Sequence, residues 1–250
     1  MQKNEIVFAY DEPALILHAD KNYLAIGDLH IGKERELENK GVYAAPAVSQ
    51  MLNRINKLIK DFSIKKVIFL GDIKDAILNP DSRDIKVLKD FFDSIQCSDF
   101  VIIRGNHDAN LPKLLPNLKE RIYNELIVAK TAFMHGNRWP SNEAMMADYI
   151  ISAHTHFAIS IKKEKYVYKE KVWVKSVLDA NIAEKYYKKF NSKIEMVSMP
   201  PFNDLILGKP MKKEYDGSNP VFTSGVFDYL NAEVYDLKGN FIGSVKKICL

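Results

Sequence analysis

Cysteine is scarce in this sequence, and long apolar runs and a strong charge of one sign are missing. The 250 residues include only Cys97 and Cys249, which lie too far apart in sequence to form a Cys-x-x-Cys motif. This excludes a disulfide-stapled fold and disfavours a closed zinc site built from thiolates. No apolar run approaches the roughly 20 residues of a membrane-spanning helix, and the first residues resemble neither a signal nor a transit peptide. We therefore expect a cytoplasmic protein that does not enter a membrane.

The charge balance is mildly basic, with a formal net charge of +4 and a pI of about 8.8. It permits a substrate that carries phosphate, including nucleic acid, without requiring one. An apolar content of 47% over 250 residues is enough for a large core. We expect a single domain over residues 1–250. Residues 1–156 would carry the motifs described next, and residues 157–250 would form a β-rich second sheet rather than a separate domain.

Five of the six histidines lie in four short motifs, three of which also contain a carboxylate, an amide or a glycine, and a Gly-Asp motif lies between the first two. The motifs are Asp28-Leu29-His30, Gly71-Asp72-Ile73-Lys74-Asp75, Gly105-Asn106-His107-Asp108, His135-Gly136 and Ala153-His154-Thr155-His156. Carboxylate, imidazole and amide groups bind Mn, Fe, Co, Ni and Zn. Two such ions about 3.5–4 Å apart need one anionic bridging ligand and an open face for water and a phosphoryl oxygen. The set predicts a hydrolase with two metal ions, and Asp72 is the candidate bridge.

Each motif follows a short apolar run that is typical of a buried β-strand. The predicted strands cover residues 23–26, 67–70, 101–103, 132–134 and 149–151. Apolar residues at helical spacing predict helices within 48–62 and 85–95, and Ser141 is a candidate N-cap of a helix that extends to about residue 148. Strands that alternate with helices predict a largely parallel sheet, whose carboxyl edge would gather the motifs.

The last third of the sequence is predicted to be β-rich. We predict a hairpin of residues 166–168 and 172–174 around Lys169-Glu170-Lys171, and strands at 193–198, 221–223, 232–235 and 241–245. The rings and lysines of this hairpin suit single-stranded nucleic acid, but alternating Lys and Glu favour a solvated hairpin with one buried face. The side chains concerned are Tyr166, Tyr168, Lys169, Lys171, Trp173 and Lys175. His18 lies outside every motif and is predicted to be an ordinary strand residue.

The five ordered motifs resemble the signature of the calcineurin-like metallophosphoesterase superfamily. The resemblance implies an α/β fold in the form of a two-sheet α/β/α sandwich. It also implies that the first metal ion is held by Asp28, His30 and His156, the second by Asn106, His135 and His154, and that Asp72 bridges them. His107 would be the catalytic residue, which faces the substrate and protonates the leaving oxygen or stabilises its charge, with Asp108 orienting it. Ala153 departs from the family, which commonly has glycine there.

Within the superfamily, the sequence of residues 26–34 and the later Pro201-Phe202-Asn203 resemble compact archaeal and bacterial phosphoesterases related to SbcD and to the DNA-ligase-associated group. This implies a phosphodiesterase acting on nucleotides or single-stranded nucleic acid with two divalent ions, Mn first, with Fe, Zn, Ni or Co as alternatives. A phosphomonoesterase and a non-catalytic scaffold are the alternative functions. Asp75 and Asp108 could support the site or cap a turn, and Lys33 and Arg138 could contact substrate or form surface salt bridges. No protein partner is predicted.

Overall fold

The computed structural model describes residues 5–43, 47–75 and 81–249, and the strands in them form three sheets. The first sheet has six strands that lie side by side in chain order. They are β1 (Glu5–Phe8), β2 (Leu15–His18), β3 (Asn22–Ile26), β4 (Lys66–Phe69), β5 (Phe100–Ile103) and β6 (Ile122–Tyr123). Strands β3 to β6 are parallel, and β1 and β2 extend the sheet as antiparallel strands. The three motif strands of this sheet, β3, β4 and β5, match the prediction closely.

The second sheet has seven strands and begins before residue 157. It contains β7 (Glu125–Val128), β8 (Thr131–Met134), β9 (Tyr149–Ser152), β12 (Trp173–Val177), β13 (Glu195–Ser198), β15 (Glu233–Tyr235) and β16 (Phe241–Ser244), in the order 16-15-12-13-9-8-7. The motif strands β8 and β9 thus belong to this sheet and not to the first. The chain changes sheets at β7 and β8, which form a hairpin whose two turn residues, Ala129 and Lys130, have left-handed backbone.

A third, smaller sheet corrects the predicted hairpin. It contains β10 (Phe157–Lys163), β11 (Tyr166–Lys171) and β14 (Lys209–Pro210), with β10 in the middle. The hairpin joins β10 to β11 around Glu164–Lys165, so residues 169–171 are strand rather than turn. Trp173 lies in another sheet and is fully buried, and the Lys171 ammonium donates to Pro201 O at 2.9 Å and to Asn203 O at 2.8 Å. The predicted nucleic-acid surface is therefore not formed as one face.

The helices lie outside the two large sheets. They are α1 (Lys33–Asn39), α2 (Ala47–Asp61), α3 (Ser82–Asp93), α4 (Leu111–Leu114), α5 (Ala180–Ala183), α6 (Pro220–Thr223) and α7 (Val245–Ile248), with 3-10 helices at Pro116–Arg121 and Ala144–Met146. The apolar stripe of α2 is buried as predicted, through Met51, Ile55, Leu58 and Ile59. Within the described residues, no helix is long and apolar enough to cross a membrane.

Two local predictions are wrong. Residues 221–223 form helix α6 rather than a strand, because Asn219 Oδ1 accepts the Val221 N–H and Pro220 occupies the first turn. Ser141 Oγ does accept the Ala144 N–H, at 3.0 Å, but the helix that follows is only the short 3-10 turn. The prediction for residues 221–223 rested on their apolar residues and missed the Asn219 cap, whereas the Ser141 cap is present and only the length of the helix was wrong.

The two large sheets pack face to face, and the middle layer of the core lies between them. Its buried residues come from both sheets, for example Leu17 and Ile68 from the first and Phe133 from the second. Trp173 stacks on Phe8 across this layer, with ring centroids 4.2 Å apart and planes 6° apart. There are two further apolar layers, one between the first sheet and its helices and one between the second sheet and its helices. The result is an α/β two-sheet sandwich covered by helices, which confirms the expected fold class.

Candidate metal centre

The carboxyl ends of β3, β4 and β5 in the first sheet meet those of β8 and β9 in the second, and the motifs come together there. Three groups of residues have ligand atoms that lie within 4.8 Å of one another. The groups are Asp28, His30 and His156; His30, Asp72 and His107; and Asp72, His135 and His154. Asn106 joins the third group, because its Oδ1 lies 3.2 Å from His135 Nε2. All eight predicted site residues therefore lie in one cluster.

Much of the cluster stands on strained backbone. Five of the eight residues have left-handed φ values, from +41° to +71°. They are Asp28, His30, Asp72, His154 and His156. Such a conformation costs a non-glycine residue of order 1–3 kcal/mol and persists only where the surroundings hold it. Part of that support is Asn203, which is fully buried and donates from Nδ2 to Leu29 O at 2.7 Å.

Asp108 joins two motif loops, and this corrects its predicted role. Its fully buried carboxylate accepts the Ile73 N–H and the Gly105 N–H, each at 3.0 Å. Gly105 is required at this point, since a Cβ there would lie 2.2 Å from Asp72 Oδ1. The His107 ring is oriented by another group, because its Nδ1 lies 2.6 Å from the main-chain oxygen of Asp75 and donates to it.

The outer nitrogens of two histidines are held by partners that direct the other nitrogen inward. His135 Nδ1 donates to Leu70 O at 2.6 Å, which leaves Nε2 facing Asp72 Oδ2 at 3.3 Å. His30 Nδ1 lies 3.1 Å from Asp75 Oδ1. A carboxylate or carbonyl behind an imidazole is the usual support of a metal-binding histidine, because it fixes the tautomer and the ring orientation. Asp75 therefore supports both His30 and His107.

The Nε2 atoms of His30 and His156, which face the centre of the cluster, are better suited to binding a cation than to hydrogen bonding with their neighbours. His30 Nε2 and His156 Nε2 are buried, and neither has a hydrogen-bond partner among the described residues. His156 Nε2 lies 3.2 Å from Asp28 Oδ1, and His30 Nε2 lies 3.7 Å from Asp72 Oδ2, without the alignment of a hydrogen bond. Lone pairs that converge beside carboxylate oxygens in a buried place are suited to a divalent ion. The residues present thus fit the expected metal ions.

His154 has a contact that the sequence did not suggest. Its Nε2 lies 2.7 Å from Ser218 Oγ, and its main-chain N–H donates to Asp28 Oδ2 at 3.0 Å. Ser218 belongs to a loop 64 residues further along the chain. Another unpredicted neighbour is Lys74, a buried lysine whose ammonium donates to the main-chain oxygen of His107. Ser218 lies outside the five motifs, and Lys74, although inside the second motif, was assigned no role from the sequence.

The charges in the cluster support one another. Burial alone would raise the pKa of Asp72, but the hydrogen bond and charge of His135 hold it well below its usual range. Burial would likewise lower the pKa of His135, yet Asp72 and Asp28 raise it to about 9. For His154, burial and the nearby His135 lower the pKa to about 4, so this ring is neutral at pH 7. The carboxylates are ionised and ready to bind a cation.

The sequence profile of the calcineurin-like phosphoesterase family matches residues 21–176, which is more than half of the chain. The chain belongs to the calcineurin-like phosphoesterase family. The matched segment contains all five motifs and every predicted site residue. Family membership gives the general activity, metal-dependent hydrolysis of phosphoesters, and leaves the substrate open.

Among solved structures, the Pseudomonas putida nuclease MPE superposes with a TM-score of 0.61 at 15% sequence identity. The match covers 96% of this chain and 100% of the nuclease, and it confirms the fold. An archaeal phosphodiesterase matches with a TM-score of 0.34, 15% identity, and 58% and 79% of the two chains. The phosphoesterase Yfce from E. coli matches with a TM-score of 0.36, 14% identity, and 88% and 96%. No curated protein sequence matches this chain significantly.

The departure from the family at Ala153 is accommodated by packing. Ala153 does not need left-handed backbone, which begins only at His154. Its fully buried methyl group lies against Gly27, where a Cβ would come within 2.7 Å of the Ala153 Cβ. In this chain, alanine at position 153 therefore requires glycine at position 27.

Two basic residues beside the family motifs have different surroundings. Lys33 forms an ion pair with Glu36, lies 3.6 Å from Asp75 Oδ1 and lines a cleft beside the cluster. Arg138 is turned to the surface, where it donates to Asn124 Oδ1 at 2.8 Å. Lys33 thus remains a candidate for contact with substrate, and Arg138 has a surface partner.

Replacing Asp108 by alanine should destabilise the protein without any change in the site histidines. The variant leaves two buried main-chain N–H groups without their acceptor, and each such loss costs about 1–3 kcal/mol. We expect a fall of about 2 kcal/mol or more in the free energy of unfolding, measured by urea denaturation in the presence of EDTA. Asp90→Ala, which removes an exposed carboxylate of α3, is the control. Equal stability of the two variants would show that Asp108 does not hold the loops together.

Proposed function

We propose that this chain is a phosphodiesterase that hydrolyses nucleotides or nucleic acid with two divalent metal ions. The observation that carries the proposal is the convergence of eight residues from five motifs, with buried imidazole nitrogens directed at carboxylates. Membership of the family supports metal-dependent phosphoester hydrolysis. The proposed preference for diesters is taken from MPE, a protein with the same fold whose name describes it as a nuclease. A cytoplasmic location and a single domain belong to the same proposal.

Two of the three residue groups support the proposed ligand sets, and the third contains His107 beside His30 and Asp72. Asp28, His30 and His156 would hold one ion, Asn106, His135 and His154 the other, and Asp72 would bridge them. When bound, the two cations would lower the pKa of a shared water and offset the charge that grows on the phosphoryl oxygens. Mn is the first candidate, because mixed Asp, Asn and His ligands with an open face suit an ion of octahedral preference.

His107 would serve the leaving group. Its Nδ1 is fixed by Asp75 O, so Nε2 is the free nitrogen, and it lies on the side of Asp72, 3.9 Å from Oδ2. The side chain is 21% exposed, so a substrate can reach it. A proton on this Nε2 would pass to the leaving oxygen as the phosphoester bond breaks. The main-chain bonds of His107 to Asp72 and Lys74 hold the loop in place.

Asp72→Ala should abolish both metal binding and activity, since the variant removes the proposed bridging carboxylate from the centre of the cluster. The metal content of the purified protein would be measured by elemental analysis after gel filtration, with about two ions per chain expected in the wild type. Asp90→Ala serves as the control because its carboxylate is remote from the motifs. Full metal content in Asp72→Ala would contradict the bridging role.

His107→Ala should keep the metal ions but lower turnover by about 10² to 10⁴, the usual range for loss of a positioned general acid. The loss should be small for an activated aryl diester and large for a diester with a poor leaving group. His18→Ala is the matched control, since His18 bonds to Asn22 at the opposite end of β3. Equal losses for both kinds of leaving group would mean that His107 does not protonate the leaving oxygen.

The substrate class is tested on the demetallated protein restored with Mn. We expect a higher kcat/KM for linear or cyclic nucleotide diesters than for simple phosphomonoesters. The same panel with Mg, Zn and Ni ranks the metals. A higher kcat/KM for monoesters than for every diester would make the chain a phosphatase. Full metal content without hydrolysis of any phosphoester would favour the non-catalytic scaffold.

A further inference from the structure

A cleft of about 810 Å³ opens beside the metal-centre cluster. One side is formed by site residues, including His30, His107 and His156, and the other by Lys169 and residues 205–218. We call this space the lateral cleft. Its volume is in the range of sites that enclose small-molecule-sized groups, about 300–1,000 Å³. A substrate bound at the metal centre would therefore find room for roughly a nucleotide-sized group next to the phosphate that is cleaved.

The far wall of the lateral cleft is built on the strand that follows His156. Strand β10 begins directly after this histidine, and β14 pairs with it in parallel, with Lys209 N donating to His156 O at 2.7 Å. On the other side of β10, Lys169 of β11 pairs with Ser160. The third sheet thus fixes Lys169 and Lys209 relative to the metal centre through main-chain hydrogen bonds.

The lining of the cleft is basic apart from its histidines. It includes four lysines against two aspartates: Lys33, Lys169, Lys209, Lys212, Asp75 and Asp216. Lys209 and Lys212 both contact Asp216, at 2.8 and 2.9 Å, while the Lys169 ammonium donates to the neutral Gly208 O. The Asp216 pairs are about half exposed, where ion pairs contribute little and a competing anion can displace them. The excess positive charge favours a second phosphate of the substrate.

The same wall also offers apolar surface. Leu205, Ile206, Leu207, Pro210 and Met211 line the cleft, and Leu207 is 62% exposed. Exposed aliphatic groups beside lysines suit a ligand that has both a flat apolar part and an anionic part, as a nucleotide has.

We propose that the lateral cleft is a binding subsite for the nucleotide next to the scissile phosphate in a single nucleic-acid strand. Lys169 and Lys209 bind the neighbouring phosphate, and Leu207 and Met211 pack against the base or sugar. This subsite rests on the proposed function and adds to it a reason to prefer an oligonucleotide over a minimal diester. Of the residues in the hairpin predicted from the sequence, only Lys169 takes part.

The test compares wild type with Lys169→Ala/Lys209→Ala on two substrates and in one binding assay, using the full chain. For a single-stranded oligothymidylate, KM should rise about tenfold or more, because the variant loses the contacts of both lysine side chains with the neighbouring phosphate. For bis(p-nitrophenyl) phosphate, which has no second phosphate, kcat/KM should stay within about twofold of wild type. Binding of fluorescein-labelled oligothymidylate in EDTA should weaken, and its logarithmic salt dependence should fall by about 0.7 per lost phosphate contact.

Two further variants complete the test. Lys57→Ala/Lys86→Ala removes two exposed lysines on the outer helices α2 and α3 and should leave oligonucleotide binding unchanged. Lys169→Gln/Lys209→Gln removes both charges but keeps polar side chains only one atom shorter, and it should reproduce the defect with an unchanged Tm. Equal oligonucleotide binding and salt dependence in wild type and both cleft variants would overturn the subsite. If wild type hydrolyses no diester, the proposed function fails, and the binding assay still decides whether the cleft holds a single strand.

Discussion

The site depends on keeping one buried carboxylate, that of Asp72, ionised. Burial disfavours the charged form of Asp72. The His135 ring on one side and the His107 N–H on the other stabilise that charge. Asp72 thus contacts groups that follow strands of both sheets, so it lies where the two sheets meet. The surrounding loops are then held by buried groups that never face the substrate, among them Asp108 and Asn203.

The strained backbone follows from the need for convergence. A strand that simply continued past its carboxyl end would carry its side chains away from the neighbouring strand's motif. Left-handed residues such as Asp28, Asp72 and His154 turn the chain at once and return the side chain to the centre. The strain is compensated by the wide apolar layers on both faces of the two sheets, so the centre can hold charged groups in a geometry that their own backbone disfavours.

The sequence predicted what depends on local pattern and missed what depends on packing. The order of the motifs predicted that Asp72 and its neighbours come together, and they do, although at the carboxyl ends of strands from two sheets rather than at the edge of one. The change of sheet at Ala129 left no signal, since neither turn residue is of the type that favours a left-handed turn. Asn219-Pro220 did carry the signal of a helix start, which the apolar residues after it obscured. Ser218 and Lys209 reach the site only through the folded loop, so no spacing could reveal them.

The contact between Gly27 and Ala153 limits how closely the two sheets approach each other at the metal centre. Gly27 follows the last residue of β3 in the first sheet, and Ala153 follows the last residue of β9 in the second, so the two meet where the sheets join beneath the metal centre. At this point there is room for the Ala153 methyl group but not for a second one on Gly27. A second methyl would act as a wedge and move Asp28 away from His154. The spacing of the two halves of the site is therefore a steric quantity, determined by two residues that carry no chemistry.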